Sequence, residues 1–179
     1  MNEKIEIRSE KEEGCTAKEA MKLAVEHMKA KTAHVILIIA PEGKYWDSES
    51  VLFVKMFLRF LHKNRGRILL LAENDEMLYK LEEHILKSNA KIRIVERATL
   101  EEHGVSDDMI LNRINGAEAE CIIAALPAEV ENQFLEKYQK ALDAEIWLSI
   151  GTHLKWKKKL QRFRKLWKGI LQHFTKNEI

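Results

Sequence analysis

Short runs rich in Ile, Leu and Val alternate along the chain with stretches of helical period. This alternation limits what the chain can fold into more than any other feature. "AHVILIIA" (33–40) is a continuous apolar run of the kind that suits a strand covered on both faces. "IEIR" (5–8), "RILLLA" (67–72), "KIRIVE" (91–96), "AECIIAAL" (119–126) and "EIWLSI" (145–150) read as further strands. Helical patterns fall between them. Thr16 and Glu19 form a capping box that opens a helix to about Lys31, with Ala20, Leu23, Ala24, His27 and Met28 on one face. Asp47 or Ser48 caps a second helix to about Lys63, where "NRG" stops it. A third covers 75–88, a fourth runs from Ser106 to Asn115, and a fifth from Pro127 to about Leu142.

Strands alternating with helices of this length imply βαβ units and a parallel sheet. Right-handed crossovers then make a three-layer sandwich. The expected fold is α/β, a Rossmann-like sandwich with a mostly parallel sheet over residues 1–152. A basic amphipathic helical appendage follows over 153–179. The 179 residues suit this size of fold.

No apolar run reaches the roughly 20 residues of a transmembrane helix. The charged start, MNEKIEIRSEKEEG, lacks the apolar core of a signal peptide, so a cytoplasmic location is expected. Cys15 and Cys121 have no metal-ligand spacing and read as structural thiols in a reducing compartment. The seven histidines form no metal cluster, and neither a metal nor a cofactor is expected.

Ligands of open parallel sheets bind outside the carboxyl ends of the strands. That rule selects the loops 41–44, 72–75, 126–129 and 150–153. None holds a GxGxxG or a GxxxxGK[ST], so a standard nicotinamide or P-loop site is unsupported. The helix N-termini that follow can still meet a phosphate through free N–H groups. Asp75 and Glu129 also suit these N-termini simply as acids favoured by the helix dipole. Glu42, directly after a buried strand, is the candidate general base, or else a turn residue between Pro41 and Gly43.

Charge is divided unevenly. Residues 151–179 carry nine basic and one acidic residue, a net of +8, while residues 1–150 carry 21 and 27, a net of −6. Trp156, Leu160, Phe163, Trp167, Ile170 and Phe174 recur at helical spacing, with Lys157, Lys158, Arg162, Arg164, Lys165 and Lys168 around them. Such a helix lies in a membrane interface or packs its apolar stripe on its own body. At a membrane, Trp156, Lys158, Phe163 and Trp167 are the expected contacts. An exposed stripe also invites homo-oligomers. The acidic body and the lack of a recognised motif argue against nucleic acid.

The second half resembles a known family. "RGRILLLAENDEMLYKLEEHILKSNAKIRIVE" and "DDMILNRINGAEAECIIAALPAEVENQFLEKYQKALDAEIWLSIGTHL" follow, in element order and short words, the WecG/TagA/CpsF glycosyltransferases, and "FRKLWKGIL" their basic end. The resemblance covers roughly residues 50–171. It implies transfer of N-acetylmannosamine or a related hexosamine from a UDP-sugar to a polyprenyl-diphosphate-linked acceptor. The setting would be cell-envelope polysaccharide synthesis in a bacterium, with the protein peripheral at the inner face of the cell membrane. By the same resemblance Glu42 stands for the base, and Pro127, Glu129 and Gln133 border the nucleotide. Thr152, Arg162 and Arg164 face its phosphates.

The chain also departs from the family. Where the family has two separate segments the chain has only Pro41-Glu42-Gly43, which can stand for either; the intervening stretch is missing, and the Gly-rich turn after the last strand is reduced to Gly151-Thr152. The alternative is therefore a non-catalytic divergent relative that binds a sugar nucleotide, a membrane surface or a protein partner.

Overall fold

The structure, a computed structural model, describes residues 4–6, 16–30, 36–39, 48–101 and 106–152. The basic appendage, 153–179, lies outside the described residues.

Among the described residues six strands and five helices alternate. They are β1 (Lys4–Glu6), α1 (Ala17–Ala30), β2 (Ile36–Ile39), α2 (Ser48–Lys63), β3 (Arg67–Ala72) and α3 (Asp75–Ser88). After them come β4 (Arg93–Thr99), α4 (Asp107–Gly116), β5 (Cys121–Ala125), α5 (Ala128–Tyr138) and β6 (Ile146–Ser149). All strand pairs are parallel, in the order β1-β2-β6-β5-β3-β4. The expected α/β sandwich is present, and the sheet is wholly parallel among the described strands.

The order explains the layers. From β1 to β4 the chain steps one way across the sheet, and right-handed crossovers put α1, α2 and α3 on one face. From β4 to β6 it steps back, which puts α4 and α5 on the other. Burial follows this division. Ile68, Leu70, Cys121, Ile123, Ile146 and Leu148 join the core under α1, α2 and α3. Leu69, Leu71, Ile122, Ala124 and Trp147 join Ile110, Ile114, Phe134 and Leu135 on the second face. Successive strand residues point to opposite faces, so strand residues buried on both sides must be apolar, as Ile68–Ala72 of β3 and all of β5 are.

Local chemistry sets the helix ends. The capping box forms: Thr16 N–H donates to Glu19 Oε2 at 2.9 Å, and Glu19 N–H to Thr16 Oγ1 at 3.4 Å. The buried face of α1 is centred on Ala17, Ala20, Met21, Ala24 and Val25, while Leu23 and Met28 flank it half-buried. At the end of α2, Arg65 N–H donates to His62 O at 3.2 Å and Gly66 N–H to Leu61 O at 2.7 Å. This is a Schellman closure, and Arg65 rather than a glycine takes its left-handed position, at φ 58°. Gly66 is needed for space, because a Cβ there would stand 2.8 Å from Leu61 Cδ2. Cys121 is fully buried with its thiol pushed up by burial, consistent with a structural role.

The β4 edge is charged. Arg97 pairs with Glu82 at 2.8 and 2.5 Å, and Arg113 Nη2 donates to the Arg97 carbonyl at 2.8 Å. Side chains placed this way blunt an edge against further strand pairing. No described helix is long and apolar enough to cross a membrane.

Candidate functional site

The carboxyl rim is where this fold opens. β3 and β5 are neighbours, with Ala72 in register with Ala125. Their outgoing loops lead to helices on opposite faces, α3 and α5. The two loops therefore diverge, which marks the usual ligand position of a doubly wound sheet.

The two helix N-termini beside it differ. Asn74 caps α3, its Oδ1 accepting from Met77 N–H at 3.0 Å. Pro127 stands at the N-cap of α5 and supplies no side-chain cap. The first-turn N–H groups of α5 therefore lack the usual side-chain acceptor. The rim is otherwise stitched by backbone. Leu100 N–H donates to Ala72 O at 3.0 Å, Glu101 N–H to Glu73 O at 2.9 Å, and Ile150 N–H to Ala124 O at 2.9 Å. The last of these brings Gly151 and Thr152 alongside the exit of β5. Gly151 takes φ +62°, and a Cβ there would meet nothing within 4 Å. This glycine serves the turn and not a close approach.

Beneath the rim lies a buried carboxylate. Glu131 is 7% exposed, Ser149 5% and Trp147 0%. Trp147 Nε1–H donates to one carboxylate oxygen of Glu131 at 2.6 Å, and the Ser149 hydroxyl to the other at 2.6 Å. Trp147 also stacks on Phe134, with ring centroids 5.8 Å apart. A buried carboxylate is tolerable only with partners of this kind. The cluster ties the first part of α5 to β6.

Electrostatically the described rim is acidic. Glu73 is half-buried, and Asp75, Glu101 and Glu129 are exposed. Residues 72–76, 99–101, 126–130 and 150–152 include no Lys, Arg or His. No group of three or more metal-ligating side chains is present among the described residues.

Of the expected site residues, Pro127, Glu129 and Thr152 come to this one rim, with Pro127 and Thr152 half-buried. Gln133 is exposed further along α5, more than a turn from the rim. Glu42, Arg162 and Arg164, and the expected membrane contacts Trp156, Lys158, Phe163 and Trp167, lie outside the described residues.

The Glu131 cluster escapes sequence reasoning. A signal existed: Glu131 stands on the same helical stripe as Phe134, Leu135 and Tyr138, all buried. A carboxylate on an apolar stripe needs donors. The alternation of Trp147 and Ser149 puts two on one face of β6.

No protein-family model matches the chain, and a search of curated proteins finds no match.

Proposed function

We propose that the chain binds a sugar nucleotide at the carboxyl rim. In this proposal it acts as a hexosaminyltransferase, moving N-acetylmannosamine or a related sugar from a UDP donor to a polyprenyl-diphosphate-linked acceptor at a membrane face. The observation that carries the proposal is the open N-terminus of α5 beside Gly151-Thr152, at the parting of β3 and β5. Uncapped first-turn N–H groups and the helix dipole favour a phosphate oxygen there. Glu42 would act as base on the acceptor hydroxyl, and Arg162 and Arg164 would supply the positive charge that the described rim lacks.

A second proposal is favoured by that same lack: a non-catalytic relative that keeps the fold and binds a ligand or partner. An acidic rim repels a diphosphate unless cations arrive from elsewhere in the chain.

Calorimetric titration with UDP and with UDP-N-acetylmannosamine tests both. The transferase predicts binding with a constant of about 1–100 μM. It also predicts that Glu42→Gln loses turnover while keeping that affinity. Binding without turnover leaves the non-catalytic reading. No heat and no thermal stabilisation at millimolar ligand removes the nucleotide site.

A further inference from the structure

One part of an otherwise acidic body carries no acid. Residues 50–72 hold Lys55, Arg59, Lys63, Arg65 and Arg67 and no Asp or Glu, a net of +5. The rest of residues 1–150 carries 16 basic and 27 acidic residues, a net of −11. Glu49 is the last acid before the run, and its carboxylate is turned to α1, where it accepts from Ala17 N–H at 2.8 Å. Arg67, beyond the end of α2, pairs with Glu118 and Glu120.

Helical spacing gathers the cations of α2 on one face. Val54, Phe57, Leu58 and Leu61 are buried on the inner side. Leu52, Lys55, Arg59 and Lys63 recur three or four residues apart on the outer side, with His62 beside them. Arg59, His62 and Lys63 are exposed, and Lys55 is half-buried. Among the described residues Arg59 has no ion-pair partner. The helix dipole accounts for His62 and Lys63 in the last turn. It does not account for Lys55 and Arg59, because its effect fades beyond that turn.

The flanking helices do not share this charge. α2 lies between α1 and α3 on the first face. Glu49 reaches α1 at one end, and Asn89 Nδ2 at the close of α3 donates to Leu58 O at 3.3 Å. α1 sets Glu26 beside Lys22, while α3 sets Glu76 beside Lys80 and Glu83 beside Lys87. The cationic face is therefore one helix wide, about 10 Å. A nucleic-acid duplex or a bilayer is broader and would bring phosphates over those carboxylates. A single acidic polypeptide fits within the stripe. Lys55, Arg59 and Lys63 follow one another about 6 Å apart, the step between carboxylates four residues apart on a helix.

We propose that the outer face of α2 is a docking surface for an acidic helical segment of another protein, whose carboxylates meet Lys55, Arg59 and Lys63. The surface lies on the opposite side of the sheet from α5. The proposal goes beyond the sugar-nucleotide reading and stands or falls without it.

Nuclear magnetic resonance titration of the full chain at low salt tests it. The probe is an Ala-rich helical peptide with Glu at every fourth position, and its control has Gln at the same positions. The Glu peptide should shift the amides of residues 52–63 saturably, with a constant below about 1 mM. Arg59→Glu should weaken that binding at least ~5-fold, and Lys140→Glu, on the other side of the sheet, should leave it unchanged. Salt at about 0.5 M should abolish it. Shifts confined to residues outside α2 overturn the proposal, as do equal shifts with the Gln peptide or full affinity in Arg59→Glu. A DNA duplex or phosphatidylglycerol vesicles that bind residues 52–63 more tightly than the peptide also overturn it, because the occupant would then be a nucleic acid or a membrane. Should Arg59→Glu fail to fold, Arg59→Gln takes its place, with a loss of about 3-fold expected.

Discussion

Removing the Glu131 carboxylate tests whether the rim is anchored as described. Glu131→Ala leaves the Trp147 indole N–H and the Ser149 hydroxyl without their 2.6 Å acceptors in a buried site. Each orphaned donor costs about 1–3 kcal/mol. The expected loss is about 3 kcal/mol, or roughly 6–12 °C in melting temperature for a chain of this size. Glu131→Gln keeps the shape and one acceptor. Its oxygen can take the indole N–H, and the Ser149 hydroxyl can turn to accept from the new amide, so the loss should be about 1 kcal/mol. Replacing all three groups, with Glu131→Met, Trp147→Phe and Ser149→Ala together, removes the donors along with the acceptor. The triple variant should then be more stable than Glu131→Ala alone. Urea unfolding followed by circular dichroism measures the series. Equal losses for Ala and Gln, or losses below about 1 kcal/mol for both, would show that water serves the carboxylate and that it anchors nothing.

Two further outcomes follow from local surroundings. Burial first, and then the Lys87 and Lys55 ammonium groups, push the half-buried His84 down to about 4, against a smaller opposing pull from Glu83. The unfolded chain therefore takes up this proton near pH 6.5, before the folded one does. Stability from His84 is complete above that pH and is lost as pH falls toward 4. Melts from pH 7 to pH 4 should show the decline, and His84→Gln should flatten it. Gly66→Ala should cost about 1–3 kcal/mol, because its Cβ would press on Leu61, and a wild-type melting temperature would refute the packing described there.

Much of the fold is legible because its determinants are local. β3 and α3 match their expected limits, since an unbroken apolar run and the Asn74 cap need nothing from afar. Ser106 caps α4 for the same reason. α5 stops at Tyr138, short of the expected Leu142, because the chain turns at 139–141 while Leu142 is still buried. An apolar period records burial and not helix, so it runs on past the end. β4 begins at Arg93 and continues to Thr99, beyond the expected 91–96. Of its last residues Ala98 lacks strand character, yet both it and Thr99 are buried at the edge. Strand order is not written locally at all, because β2 finds its partner in β6. At the rim, the loops carrying Pro127, Glu129 and Thr152 follow from the parallel-sheet rule alone. The bonds from Trp147 and Ser149 to Glu131 join residues 16 and 18 positions apart on different elements, which no single-segment pattern reports.

The strand order also fixes when the sheet can close. β1 with β2, and β3 with β4, are synthesised first, yet they share no strand pair. The two strands that join them, β5 and β6, are the last of the described strands and lie at the centre. Until residues 121–149 have been made, neither of these strand pairs has the neighbour that links it to the other in the finished sheet. Closing the sheet through β5 and β6 joins segments far apart in sequence, at a cost in loop-closure entropy. Any chain cut short of Ser149 ends as two fragments of a sheet with no seam between them.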